Sequence, residues 1–372
     1  MQRQPLRCMT ITKKVDMTRR FLASAAFALL AGSSLSAQQA VELKQVSLGR
    51  WSIGAANYSG ITSLGGDSYA VVSDKEPQDG FFLFRITQNA TTGDIESVRL
   101  EGFKGNPNPP VDSKGISTRD TEGIAYFPAA KTLFISGEGD QAIWEYDLAG
   151  RPTGRQMRVP GIMATDKIVG NYGFEALAYD AHSRCFWTVT ESTLLADGVA
   201  AGPKNPGAQN LLRLQSFDEN LQPLAQYAYR MDRGIREDFG PTYVFGVPAV
   251  TALPDGRLLV LEREANISRG YLSSWVRCKL FEVNPVEAYR IDSSTNLKTL
   301  DGNRFMTKKL LANFTTRLTP FNLSFANYEG MCLGRTLSDG RRTLLIISDS
   351  QAGAGVGPVR LRDYLKVLIL PD

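Results

Sequence analysis

The stretch NYEGM, residues 327–331, places a glutamate directly before a glycine at the head of an apolar run. DTEGIAY (120–126) and GFEALAY (173–179) have the same shape, so the pattern is a repeat. Two further segments, YSGITSL (58–64) and VPAVTAL (247–253), align on the same residue. The five aligned positions are 60, 123, 176, 249 and 330, separated by 63, 53, 73 and 81 residues. Such spacing suits one structural unit repeated with loops of unequal length.

Each aligned run is followed by a turn, GGD, PAAK, DAHS, PDG or SDG, and then by a second apolar strand. Those second strands are YAVVSDK (69–75), LFISGE (133–138), CFWTVTES (185–192), LLVLERE (258–264) and LLIISDS (344–350). Third strands follow at 83–87, 143–148, 211–217, 280–284 and 364–370, and fourth strands at 95–100, 154–160, 224–231 and 306–314. The fifth cycle lacks a fourth strand, but VELKQVSL (41–48) alternates apolar and polar residues outside any cycle. Closing the last blade with the N-terminal strand removes that free edge. The expected fold is all-β, a five-bladed β-propeller of four-stranded blades. A six-bladed alternative requires a degenerate sheet hidden in one long loop, and no spare set of four strands is present. Long loops are expected at 101–119, 192–210, 232–246, 264–277 and 285–305.

A chain of 372 residues with 43% hydrophobic content can bury a large core, and 34 Gly with 18 Pro suits many turns. The net charge of +4 is small, and several positive charges fall in the first 20 residues, so no nucleic-acid partner is expected. MTRRFLASAAFALLAGSSLSAQQ (17–39) has the charged, apolar and small-residue order of an export signal. Residues 1–37 are therefore expected to be a signal peptide, with Met17 an alternative start, and 38–372 a single propeller domain. The apolar run is too short to span a bilayer, so no stable membrane span is expected after cleavage. Periplasmic or secreted localisation follows. The twin arginines Arg19 and Arg20 sit one residue off the twin-arginine pattern, which leaves the export route open. Cys185, Cys278 and Cys332 show no metal-ligand spacing and read as buried apolar filler.

In a propeller, the start of each inner strand and the end of the second share one rim of the central channel. Before the aligned residue stand Ser59, Glu122, Glu175, Pro248 and Glu329. Ending the second strand stand Asp74, Gly137, Glu191, Glu262 and Asp349, with Glu138 one residue on. Eight carboxylates are thus expected at one mouth. The aligned glycines, with only methyls at Ala176 and Ala249, let the five inner strands approach the axis closely. So many carboxylates raise one another's pKa and require cations among them. An all-oxygen set suits Ca²⁺, whereas zinc and copper lack nitrogen and sulfur ligands here. Lys75, Arg119 and Arg263 adjoin the acids and could pair with them or hold an anionic substrate. Acids at such positions also serve as fold staples that accept hydrogen bonds from neighbouring blades. His182, the only histidine, lies in the DAHS turn at the opposite face, so no serine–histidine or cysteine–histidine pair can form at the mouth.

At TEGIAYF, FEALAYD, YEGMCLG and LLIISDS the chain resembles the phytase-like propeller family, described as having esterase-like activity of phytase. The resemblance covers nearly all of the mature chain. It implies an exported propeller that hydrolyses phosphoesters or other esters, with Ca²⁺. The chain departs from the alkaline propeller phytases in lacking their acidic DDPA-type segment, which bears against phytate as substrate. The leading expectation has Ca²⁺ held by Glu122, Glu175 and Glu329. Asp74, Glu191, Glu262 or Asp349 would position or deprotonate water, and Lys75, Arg119 and Arg263 would bind a small anionic ester. One alternative is a carboxylate-based glycosidase, which the few aromatic side chains expected near the mouth, Trp51 and Tyr172, support poorly. The other is a non-catalytic binding propeller with a structural calcium ion.

Overall fold

The computed structural model describes residues 39–75, 79–115, 117–205, 207–235, 241–356 and 359–371. Five blade sheets follow in chain order, each built from antiparallel neighbours, and a two-stranded pair, Gly355–Val356 with Val359–Arg360, stands apart from them. Blade 1 comprises Tyr58–Gly65, Ser68–Ser73, Gly80–Gln88 and Ile95–Gly105; blade 2 comprises Thr121–Phe127, Thr132–Gly137, Ala142–Tyr146 and Pro152–Gln156. Blade 3 comprises Phe174–Asp180, Cys185–Thr190, Leu211–Asp218 and Pro223–Arg230. Blade 4 comprises Thr242–Ala252, Leu258–Ile267, Trp275–Val283 and Lys308–Arg317. In blade 5, Asn327–Thr336, Arg342–Asp349 and Tyr364–Ile369 are completed by Val41–Glu42 and Val46–Ser47, which both pair with Tyr364–Ile369. The inner strands touch their neighbours in sequence and the fifth returns to the first, so the ring has five blades and is closed by the N-terminal strand.

The core lies between blades. Five principal apolar clusters occupy the five blade interfaces, as with Ala70, Val72 and Phe81 of blade 1 against Ile124, Leu133 and Ile135 of blade 2. Each blade alternates its side chains between two neighbours, so the period of two along its strands serves two interfaces at once. Aromatic pairs reinforce the seams, with Phe134 and Phe186 joining blades 2 and 3 at 4.6 Å between ring centroids.

The aligned residues sit where expected, and the reason is steric. A Cβ on Gly60 would lie 2.3 Å from the Glu122 carbonyl oxygen, and one on Gly123 would lie 2.7 Å from that of Glu175. On Gly330 it would lie 2.6 Å from the Ser59 oxygen, across the seam that closes the ring. Every inner strand also breaks register with its partner at this level, between Tyr58 and Ile61, Thr121 and Ile124, Phe174 and Ala176, Gly246 and Ala249, and Tyr328 and Gly330. Such bulges re-aim side chains, here the residue just before the aligned position.

Several details differ from expectation. Blade 4 is longer than its pattern implied, because Thr242–Gly246 and Ala265–Ile267 pair as strand within the loops expected at 232–246 and 264–277. Blade 3 gains a fifth strand, Arg290–Ile291, from the 285–305 segment. Helical structure among the described residues is confined to 3-10 turns of three or four residues, and none is long and apolar enough to cross a membrane. The three described cysteines are free and buried. The expected signal peptide lies outside the described residues.

Gly330→Ala should destabilise the protein by about 1–3 kcal/mol, the usual cost of overpacking, in denaturant unfolding. Ala176→Gly, which only loosens a strand, should cost about 0.5–1 kcal/mol. A neutral Gly330→Ala would show that the axis has room for side chains.

Candidate functional site

Backbone pairing identifies which second-strand residues are equivalent around the ring. Three residues before the aligned position stand 57, 120, 173, 246 and 327. Their carbonyls accept from Asp74 at 3.0 Å, Glu138 at 2.8 Å and Glu191 at 2.8 Å in the first three blades. In the last two, Gly246 pairs with Arg263 and Asn327 with Asp349. The upper ring is therefore Asp74, Glu138, Glu191, Arg263 and Asp349. Below it the bulges present Glu122, Glu175 and Glu329. All eight line one cavity of about 530 Å³ at the mouth, with Lys75, Asn171, Tyr172, Asn327 and Gln351 at its edges.

Two expected site residues are elsewhere. Glu262 is not at the mouth: the blade 4 register places Arg263 there, and a strand neighbour points to the opposite face. Glu262 lies between blades 3 and 4, where it accepts from Tyr229 Oη at 2.8 Å, Lys308 Nζ at 2.6 Å and the Asp232 amide at 3.0 Å. Arg119 is fully buried between blades 1 and 2, so it binds no substrate at the mouth. Asp120 adopts a left-handed backbone (φ 51°) that separates Arg119 from the site. The Arg119 guanidinium pairs with Asp140 at 2.6 Å, donates to the Ile135 carbonyl at 3.0 Å and stacks 4.1 Å from the Trp144 ring centre. Trp51 packs instead on the interface of blades 5 and 1.

The remaining charges divide the mouth. On the side of blades 3 to 5, the buried Arg263 bridges Glu191 and Glu329 and donates to Asn327 Oδ1 at 3.2 Å. The Asn327 amide also donates to Glu329, at 2.5 Å. On the side of blades 1 to 3, one carboxylate oxygen each of Glu122, Glu138 and Glu175 lies within 4.8 Å of the others, and the same holds for Asp74, Asp120 and Glu122. Lys75, at the exposed rim, pairs with Asp74 and also lies in the field of Asp120 and Glu122. Asp74 Oδ1 is buried without a hydrogen-bond partner. The two overlapping trios are buried acidic clusters able to hold a metal ion.

Electrostatics follow this division. Burial raises the pKa of Glu122 well above the carboxylate range, and Glu175, Glu329, Asp74 and Glu138 each raise it further. Burial likewise raises Glu175, with Glu191 and Glu138 adding and Arg263 opposing. Glu138 is pushed up to about 8 by burial and by Glu191, against the hydrogen bond its Oε1 accepts from the Gly173 amide at 2.9 Å. Glu329 is raised by burial to about 7, with Arg263 opposing. Asp349 is raised by burial and Glu329, although the Gln351 amide donates to it at 2.6 Å.

Glu138 was absent from the expected metal set because reading the second strand by its last residue stopped at Gly137, and Asp120 was absent because it stands two residues before the glutamate that the repeat picked out. The alternation Arg263, Ala265, Ile267 was the available signal that Arg263 and not Glu262 faces the channel. A wall of Val244, Ala265, Ile267, Tyr271, Phe325 and Leu361 also lines the cavity. Nothing in the acidic repeat pointed to it.

No curated protein matches the chain. Solved structures do, among them a streptogramin B lyase (10% identity, 90% of this chain and 98% of that chain, TM-score 0.34). A PQQ-bound aldose sugar dehydrogenase from Streptomyces coelicolor matches at 12% identity over 88% and 97% of the two chains, TM-score 0.39. A luciferin-regenerating enzyme matches at 11% identity over 88% and 95%, TM-score 0.37. Likenesses this distant bear on no activity here. The family described as phytase-like, esterase-like activity of phytase, matches residues 53–351, from before blade 1 into the turn after the second strand of blade 5, and the chain belongs to that family.

Proposed function

We propose that the chain is a hydrolase of phosphoesters or other esters that works at the acidic mouth with a calcium ion among its carboxylates. The observation that carries this reading is the double membership of Glu122, whose carboxylate groups with Glu138 and Glu175 on one side and with Asp74 and Asp120 on the other. Every one of these donors is a hard oxygen drawn from a different strand or loop, an irregular set that suits calcium. The unpartnered Asp74 Oδ1 adds a buried oxygen that a cation would satisfy. Glu122 would hold the ion, either with Glu138 and Glu175 or with Asp74 and Asp120. Glu329 belongs to the Arg263 bridge instead.

When bound, calcium would neutralise the clustered acids and polarise a phosphoryl or acyl oxygen. The chain's own groups supply the rest. Lys75, half-exposed at the rim, orients an anionic or carbonyl group. Arg263 holds Glu191 and Glu329 in place and leaves its buried Nε without a partner. Asp349 lines the cavity and accepts from the Gln351 amide, which supports it as the group that takes the proton of an attacking water. As that water oxygen bonds to phosphorus or acyl carbon, the ester bond to the leaving oxygen breaks. The leaving oxygen then recovers a proton and departs as the alcohol.

A binding propeller with a structural calcium ion is the second reading, favoured by one observation. Glu138 ties blade 2 to blade 3 through the Gly173 amide, which is the geometry of a staple. Activity separates the two. Hydrolysis of a phosphomonoester and carboxylic ester panel should be abolished by EGTA and restored by calcium. Glu122→Gln should weaken calcium binding by at least roughly 10–100-fold, as loss of even outlying partners does, and turnover should fall with it while the fold persists. Calcium-dependent melting without turnover across the panel would select the binding propeller.

Proton competition supplies a further test. Glu138 and Glu329, at about 8 and 7, keep their protons when folded at pH values where the unfolded chain has released them. Their contribution to stability is thus fully present below the unfolded pKa, about 4.3, and is lost as pH rises through 7 and 8. Without calcium the melting temperature should fall between pH 5 and pH 8.5. Calcium competes with the protons of Glu122, Glu138 and Glu175, so its stabilising shift should grow over the same range. An equal calcium shift at both ends would place the ion away from these carboxylates.

A further inference from the structure

We infer that the ester taken at this site carries an apolar acyl or aryl group, which lies along the wall built by blades 4 and 5; this rests on the hydrolase reading above. The wall comes from the extra length of blade 4. Its inner and second strands continue above Arg263, with Val244 opposite Ala265 and Thr242 opposite Ile267. Strand alternation then puts Arg263, Ala265 and Ile267 on the cavity face, and Tyr243, Phe245 and Glu264 on the face toward blade 3. Phe325 and Leu361 extend the wall into blade 5.

This surface is preformed. Ala265, Phe325 and Leu361 are buried members of the core between blades 4 and 5, and the partly buried Val244, Ile267 and Tyr271 pack against that core. An apolar group laid on it displaces water at little ordering cost.

The charge of the cavity points the same way. Among the described residues its bases, Lys75 and Arg263, both already pair with acids, so a multiply phosphorylated ester would meet a mostly acidic wall with little to compensate it. Beyond the cavity the apolar surface continues. The turn that carries Tyr271 also exposes Leu272, and it is tied to the neighbouring segment by Ser273 N–H to Leu318 O at 2.7 Å and Leu318 N–H to Ser274 O at 2.9 Å. That segment exposes Leu323 and Phe321, the latter at 99%. Apolar groups gathered at the edge of a pocket mark a contact surface for apolar ligands.

The experiment uses the purified protein with calcium and the p-nitrophenyl esters of acetate, butyrate, hexanoate and octanoate, beside 1-naphthyl phosphate, glycerol 2-phosphate and inositol hexakisphosphate. kcat/KM should rise about two- to fourfold per added methylene, chiefly through KM, as burial of each methylene predicts. Naphthyl phosphate should exceed glycerol 2-phosphate, and the hexakisphosphate should be the poorest. Ile267→Asp should lower kcat/KM for octanoate roughly tenfold or more beyond its effect on acetate. Val244→Ser, at the rim of the same wall, repeats the comparison if melting curves show that the first variant does not fold. Turnover with a flat chain-length profile, or with the hexakisphosphate preferred, overturns the inference and leaves the hydrolase reading standing. No turnover of any substrate overturns both.

Discussion

Five inner strands converge on one axis so closely that a methyl group at Gly60, Gly123 or Gly330 would strike the backbone of the next blade. Much of the architecture depends on that approach. It sets the aligned small residues, and it coincides with the register break found in every blade. A bulged residue cannot alternate normally, so the side chain just before the aligned position is turned toward the channel. Where that residue is glutamate, closing the ring and building an acidic mouth are one structural event.

Acids gathered in this way create an electrostatic problem with two solutions in one cavity. Blade 4 contributes Arg263 at the ring position where the other blades carry acids, and Arg263 bridges Glu191 and Glu329. A buried ion pair of this kind offsets its desolvation only when its geometry and hydrogen bonds are good, and Asn327 supplies a bond to each side. Around Glu122, among the described residues, the cation is Lys75, half-exposed at the rim and already paired with Asp74. The acids nearest it all raise its pKa, and the group must stay protonated or meet an external cation. The asymmetry of the mouth, satisfied on one side and electrostatically open on the other, is the physical basis of its proposed chemistry.

Blade 4 departs from the other four in length as well as in charge. Its added residues rise over the cavity and carry apolar side chains on the inward face, while the opposite face keeps Glu264 and Tyr243 in a hydrogen bond of 2.8 Å. The mouth therefore has an acidic side and an apolar side, supplied by different blades. Because one blade differs from the other four, the cavity has no fivefold symmetry.

The blade count, the order of strands and the closure by 41–48 were legible in the chain itself, because alternation and turns such as PDG and SDG are local properties. The small aligned residues and the glutamates before them were legible for the same reason. For the choice between Glu262 and Arg263 the local pattern offered only the alternation Arg263, Ala265, Ile267, and a phase shift of one residue exchanges the two faces. It could not assign Arg119 to the interior, where its partners Asp79 and Asp140 come from different blades. Arg263 meets Glu191 and Glu329 across 72 and 66 residues of chain. The sequence alone determined a closed ring of five blades, since each blade is written in short-range patterns. Only the tertiary structure decided which charges share the mouth and what wall they face, since those partnerships form between blades whose approach no single segment encodes.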